Sequence, residues 1–289
     1  MKSVTVIVVN YFKAKRLRLA IESVFLQDFD GRINCIVIDN SNNDSERSAI
    51  NDILRDFNFR TMFSTENIGY TRAVNLGIEA FESSDYFLLM SPDIVIGDKS
   101  VVSGLVRLMA NNRDIGIISP VQVNDDGSIP EIGRQFPNPL KQIARRLWRQ
   151  SDEVLITETL VRDKAPAILD VDWLQSSFSM IRKEVVAEIG GLNPQYFLFM
   201  ADIEFCLEAW RRGFRVALTP ISGVRADGIR ASQGGILGVF SSRTMRIHVV
   251  DAFRYYLRNG WSAARPSIDR IKPAWQSAIA QPVSEDQAK

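Results

Sequence analysis

Hydrophobic and polar positions change period block by block over residues 1–125. Residues 4–9 form a short, β-branched apolar run that reads as a first strand. Leu17, Ala20, Ile21, Val24 and Phe25 then recur at helical spacing. Residues 33–38 are strand-like again and end in Asp39-Asn-Ser-Asn-Asn-Asp44, a cluster typical of a loop. Ser45 is placed to cap the helix that follows, with Ile50, Ile53, Leu54 and Phe57 on its apolar side. A short strand over residues 60–63 leads through Asn67-Ile-Gly-Tyr-Thr-Arg-Ala-Val-Asn75 into another helix. Tyr86-Phe-Leu-Leu-Met90 is apolar throughout, as expected of a strand covered on both faces. Val101, Val102, Leu105, Leu108 and Met109 predict a helix, and residues 115–123 a further strand. The rhythm predicts an α/β fold: a mostly parallel central sheet with helices on both faces.

The pattern then loosens. Asp125-Asp-Gly-Ser128 reads as a turn, and prolines punctuate residues 129–139. Residues 139–150 predict a helix with Leu140, Ile143, Leu147 and Trp148 on one side and Lys141, Arg145, Arg146 and Arg149 on the other. Two readings are open for it: packing on the sheet, or lying on an anionic membrane. Residues 173–181 look like one strand returning to the core. Ile203, Cys206, Leu207 and Trp210 mark a helix that Arg211, Arg212 and Gly213 finish as charge and C-cap rules expect. Further on, Val249, Val250, Phe253, Tyr256, Leu257 and Trp261 recur with Arg243, Arg246, Arg254 and Arg258 in a long helix. Membrane docking, solvation and a homodimer contact are all open for that face.

Composition narrows the function classes. At 46% hydrophobic and 24% charged, with a formal net charge of +1, the 289 residues suit a globular protein and not a nucleic-acid binder that works through bulk charge. Cys35 and Cys206 lie in apolar segments, so free thiols in a reducing compartment are expected. No run reaches the length of a membrane span, and the start is too short and β-branched for a signal peptide; a cytoplasmic chain is the expectation. No Gly-x-Gly-x-x-Gly or P-loop lysine follows the first strand, which disfavours a dehydrogenase or an NTPase.

Two aspartates are the candidates for chemistry. Ser91-Pro92 interrupts pairing directly after the apolar strand, and Asp93 follows where open α/β sheets place their ligands. A plain turn aspartate fits equally well. Asp202 stands at the start of the Ile203 helix, where an N-cap aspartate is the bland alternative. Glu204 reads as salt-bridged or solvated, and the sole histidine, His248, as a helix-surface residue.

With these segments in hand, residues 4–228 resemble the family 2 glycosyltransferases, inverting enzymes of the GT-A fold that use a nucleotide-diphosphate sugar. Val4-Thr-Val-Ile-Val-Val-Asn-Tyr11 resembles the family's first strand, and Ile36-Val-Ile-Asp-Asn-Ser-Asn-Asn-Asp44 its aspartate loop. Asn67-Ile-Gly leading to Asn75 and Ser91-Pro-Asp93 resemble the next two motifs. Trp173-Leu174, Gly190-Gly-Leu-Asn193, Ala201-Asp202 and Arg212-Gly-Phe resemble the acceptor-side block. The likeness is greatest to rhamnosyltransferase-like members that build bacterial surface polysaccharides such as cell wall or O-antigen.

The resemblance implies a GT-A domain over residues 1–228, with a nucleotide-sugar half (1–125) and an acceptor half (126–228). A basic helical extension (229–280) and a disordered tail (281–289) would follow. It implies nucleotide-sugar contacts from Val9, Asn10, Tyr11, Asp39, Ser41, Asn67, Gly69, Arg72, Asn75, Ser91, Pro92 and Asp93. Asp39 would meet the base. On the acceptor side stand Trp173, Leu174, Gln175, Ser176 and Ala201, with Asp202 as general base. Its place at a helix N-terminus is expected to favour the ionised form and oppose an upward pKa shift. Asp93 would hold Mg2+ or Mn2+.

Departures from the family pattern bear on that site. Ala201 replaces a glutamate, Ala226 a metal-holding histidine, and Ser91 an amide or carboxylate. Asp227 would then complete a thinner metal site, or Arg225 and Arg230 would neutralise phosphate directly. The implied activity is transfer from a dTDP-rhamnose or UDP-sugar donor to a lipid-linked or growing bacterial surface glycan, peripherally on the inner face of the cytoplasmic membrane. The alternative class is a non-catalytic glycan- or nucleotide-binding subunit with a degenerate site.

Overall fold

The computed structural model describes residues 1–137, 168–228, 243–261 and 264–266. The helix expected over residues 139–150, Arg230 and the polar tail lie outside them. The first half runs β1 (Ser3–Asn10), α1 (Ala14–Phe25), β2 (Arg32–Asp39), α2 (Asp44–Asp56), β3 (Arg60–Phe63), α3 (Tyr70–Glu79), β4 (Tyr86–Met90), β5 (Val95–Ile96), α4 (Val101–Asn111) and β6 (Ile115–Asn124). After it come β7 (Gly133–Arg134), β8 (Leu169–Asp170), β9 (Trp173–Leu174), β10 (Phe178–Arg182), α5 (Lys183–Ile189), α6 (Ala201–Arg211), β11 (Arg215–Ala226) and α7 (Arg243–Asn259).

The main sheet has the order β3-β2-β1-β4-β10-β6-β11-β5, with β8 added to β11. Strands β1 to β4 are parallel, β10 enters antiparallel between β4 and β6, and β6 and β11 are parallel again. The fold is therefore α/β and mostly parallel, as the alternating pattern predicts. Successive side chains point to opposite sides, and the inner strands β1, β4, β10 and β6 are buried on both faces. Ile7, Ile38, Leu89, Ile117 and Ile181 face a core with Tyr196, Trp210 and Phe214. Val6, Val8, Val37, Leu88 and Met90 face the other, with Leu17, Ile21, Ile50 and Leu105.

Register decides where a site can form. Asn10 lies opposite Asp39, Met90 opposite Phe178, and Asn124 opposite Ala226. The loops after β1, β2, β4 and β11 and the turn before β10 therefore open on one edge of the sheet.

Three local expectations are corrected. The cap of α2 is Asn43, not Ser45: its side chain accepts from the N–H groups of Ser45 and Glu46. Residues 173–181 are not one strand, because β9 pairs with β7 outside the main sheet and only β10 returns to it. The N-cap of α6 is Met200, in the left-handed region at φ 64°, which makes Asp202 the second residue of the helix.

On α7 the buried residues are Asp251 and Tyr255, whereas Val249, Val250, Phe253 and Leu257 are exposed. Trp261 lies just past the helix, exposed and stacked on Tyr256. Among the described residues no helix is long and apolar enough to cross a membrane.

Candidate active site

The ends of β1 and β2 are tied together by Asn10. Its amide donates to Asp39 Oδ1 at 2.9 Å and to Glu46 Oε2 at 3.0 Å, and its carbonyl accepts from the Lys13 N–H at 3.2 Å. Glu46 also accepts from the Ala14 N–H, so it anchors the start of α1. Ser41 Oγ accepts from the N–H of Phe12 at 2.8 Å and supports that residue at φ 54°. Asp39 and Ser41 are buried beside this turn, Val9 packs into the core behind it, and Tyr11 and Phe12 stand exposed with their rings edge to face. A buried acid under two solvent-facing rings is suited to a flat, hydrogen-bonding ligand.

The Asn67–Asn75 segment has a different job. Asn67 Oδ1 accepts from the Gly69 N–H at 3.0 Å, and the Tyr70 N–H donates to the Phe197 carbonyl at 2.7 Å. Gly69 has φ +87°, and a Cβ there would sit 2.7 Å from that same carbonyl oxygen. Both ends of the Asn75 amide are engaged by the backbone of Leu192, at 2.7 and 2.9 Å. Of the residues expected on the donor, Asn75 thus holds Leu192, Gly69 packs closely on Phe197, and Asn67 holds the Gly69 N–H. Arg72 is exposed on α3.

The turn after β4 is closed by the Ile94 N–H donating to the Ser91 carbonyl, and the Ser91 N–H donates to the Ser177 carbonyl at 2.7 Å. Past Pro92, the Asp93 carboxyl meets that of Asp227, just beyond β11. Burial, then the facing Asp227 carboxylate, pushes Asp93 well above the usual carboxylate range, while Lys13 pulls it back. The Lys13 ammonium is 3.1 Å from Asp227, whose side chain is buried. Among the described residues no third histidine, cysteine or acid joins this pair. Arg225 is exposed, and among the described residues the cation paired here is Lys13, which sequence reasoning missed.

Asp202 Oδ1 accepts from the Ile203 N–H at 2.9 Å, and its carboxylate also accepts from the backbone N–H of Ser176. It lines a small hollow with Leu174, Ser176, Leu192, Phe205 and Cys206. Desolvation pushes its pKa up to about 6 in spite of those bonds and of Arg134. The helix N-terminus was expected to oppose an upward shift; burial outweighs the dipole here. Trp173, Leu174 and Ala201 are buried and pack, with the Trp173 indole donating to the Gln135 carbonyl. Gln175 is half-buried, and its N–H donates to the Ile132 carbonyl. Tyr70 Oη donates to the Ser176 carbonyl at 3.3 Å; it is a neighbour of Asp202 that was not among the expected site residues.

The two acids are therefore joined through adjacent residues: Ser177 binds the turn that carries Asp93, and Ser176 binds Asp202. With this geometry established, residues 5–189 match the model of glycosyl transferase family 2. The chain belongs to that family. This glycosyltransferase is 23% identical over 235 residues to the N-acetylglucosaminyl-diphospho-decaprenol L-rhamnosyltransferase of Mycobacterium tuberculosis, which covers 76% of this chain and 74% of that protein. Its fold is that of the mannosyltransferase PcManGT from Pyrobaculum calidifontis, solved with GDP-Man and Mn2+. The TM-score is 0.58 at 17% identity, over 92% of this chain and 68% of that one. GalNAc-T7, solved with UDP, GalNAc and Mn2+, gives a TM-score of 0.57 at 13% identity; 78% of the glycosyltransferase chain corresponds to 44% of GalNAc-T7. These likenesses establish the GT-A fold.

Proposed function

We propose that this glycosyltransferase transfers a sugar with inversion from a nucleotide diphosphate to an alcohol, with Asp202 as general base. The observation that carries the reading is the link through Ser176 and Ser177, which puts Asp202 and the Asp93–Asp227 pair on one edge of the sheet. Inverting displacement needs an acid–base group by the incoming hydroxyl and charge neutralisation by the departing diphosphate. Asp202, with its pKa raised to about 6, is a stronger base than an ordinary carboxylate and is still ionised at neutral pH.

Asp93 and Asp227 fit Mg2+ or Mn2+, since such sites need only one or two carboxylates besides substrate phosphates and water. A cation held there would neutralise the leaving diphosphate. The Lys13 ammonium adds positive charge at the same place. Asp39, Asn10, Ser41 and the Tyr11 ring would take the nucleoside, and Arg72 remains a candidate for the diphosphate.

The preferred donor is dTDP-rhamnose, supported by the name of the mycobacterial relative, with a UDP-sugar next. The acceptor in this reading is a lipid-linked or growing bacterial glycan. The outward apolar residues of α7, with Arg243 and Arg246 among them, support peripheral contact with an anionic membrane on its inner face. A homodimer through the same face is less favoured, because it would bring like-charged arginines together.

A non-catalytic subunit is not favoured, since three acids distant in sequence are kept at one edge. Transfer or hydrolysis with a panel of nucleotide sugars, for wild type and Asp202→Asn, tests the proposal. Lost turnover with nucleotide binding retained is expected; unchanged turnover overturns the base assignment.

A further inference from the structure

Asp251 is the sole acidic residue of α7, and its side chain is fully buried although its neighbours Val249, Val250 and Phe253 are exposed. It lies beyond the residues that the family model matches. A buried carboxylate is costly unless hydrogen-bonded, and this one is bound by three successive backbone N–H groups. Phe197 donates to both oxygens at 3.2 Å, and Leu198 and Phe199 donate to Oδ2 at 3.0 Å each. Arg254 stands 3.7 Å from Oδ1.

These N–H groups belong to the loop that enters α6. On its other side the loop is held by α3, through the Tyr70 N–H on the Phe197 carbonyl and the Thr71 hydroxyl on the Tyr196 carbonyl. It is clamped between two elements. Its next residue, Met200, takes the left-handed conformation that turns the chain into Ala201 and Asp202. A non-glycine residue holds that conformation only when its surroundings impose it. The same helix α7 also grips the first turn of α6, where Arg258 pairs with the buried Glu204 at 2.6 Å.

We propose that Asp251 is a positioning residue for Asp202, fixing the backbone of residues 197–199 and thereby the angle and depth at which the α6 N-terminus meets the hollow that Asp202 lines. The proposal rests on the reading of Asp202 as the base. In this arrangement α7 completes the active site without touching substrate.

The test compares Asp251→Asn with wild type and Asp202→Asn in the full chain. Turnover is followed with dTDP-rhamnose and UDP-sugars, nucleotide binding with dTDP and UDP, and backbone exchange by mass spectrometry. In Asp251→Asn, amides 197–199 are expected to exchange at least about tenfold faster, because an amide cannot replace a charged acceptor of three N–H groups. The kcat is expected to fall by about tenfold to a hundredfold with nucleotide affinity unchanged, as for a misplaced catalytic group.

The acid limb of the pH–kcat profile should also move down toward the ordinary carboxylate range as Asp202 becomes hydrated. The groups facing Asp202 in that titration are Tyr70 from α3, Arg134 from β7 and Cys206 from α6. A merely structural role would leave that limb in place. Should Asp251→Asn not fold, Asp251→Glu, which keeps the charge but shifts it by one methylene, is read the same way. Unchanged exchange, or unchanged kcat and pH limb alongside an inactive Asp202→Asn, overturns the positioning role alone. Turnover surviving in Asp202→Asn overturns the base reading, and the positioning proposal with it.

Discussion

The carboxyl groups of Asp93 and Asp227 face each other, one past the end of β4 and the other past β11. Burial, and then repulsion between the two carboxylates when both are ionised, makes Asp93 hold its proton more tightly than usual. The Lys13 ammonium relieves part of that repulsion from the Asp227 side. A divalent cation or the proton would relieve the rest.

Divalent binding should therefore depend on both acids. Mn2+ is expected to raise the melting midpoint of the wild type in the presence of UDP or dTDP, and the gain should vanish in Asp93→Asn and Asp227→Asn. In Lys13→Met the Mn2+ affinity should rise, because a competing charge is gone. As pH falls through the raised titration range of Asp93, protons displace the metal and the gain should shrink. Thermal shift across pH and Mn2+ concentration reads all of this, and an unchanged gain in either Asn variant would remove the metal assignment.

Asp202 should weaken the fold at neutral pH. Its folded pKa of about 6 lies above the ordinary 3.8, so the folded protein binds that proton more tightly than the unfolded chain. Stability from this group is then greatest near and below pH 4 and is lost as pH rises through about 6. Asp202→Asn is expected to be more stable than wild type at pH 7–8 by on the order of 1–3 kcal/mol, with little difference near pH 4. Urea midpoints at the two pH values check it.

Gly69 is required by its backbone and by its neighbour. Gly69→Ala meets a strained conformation costing about 1–3 kcal/mol, and its Cβ collides with the Phe197 carbonyl. Loss of stability should come with loss of turnover, since the displaced loop leads to Asp202. Equilibrium unfolding and a donor-hydrolysis assay together test this; a variant as stable and active as wild type would contradict it.

The exposed face of α7 should bind anionic vesicles. Flotation at low salt is expected to recover the protein, with binding reduced at high salt by screening and reduced by Phe253→Ser with Leu257→Ser. Absence of binding at low salt would remove the membrane reading.

Much of this was legible along the chain. Tyr86–Met90 is one apolar run because both faces of β4 are covered, and the strands mark Asp39, which ends β2, and Asp93, which follows β4. Chemistry that depends on distant partners was not legible. Trp173 and Ala201, expected on the acceptor side, are buried in the fold. Asn75, expected on the donor, has both ends of its amide on Leu192. The periodicity of α7 left its face open to membrane, solvent or a second copy, and did not mark Asp251 and Tyr255 as the residues the fold turns inward.

The amino-acid order alone determined the succession of strands and helices and the places where acids follow strand ends, because periodicity and turn chemistry act between near neighbours. Tertiary structure alone decided that Lys13 joins Asp93 and Asp227, that Ser176 reaches Asp202, and that burial outweighs the helix dipole there. Those facts arise from strand register and desolvation, which bring together side chains that no local pattern relates.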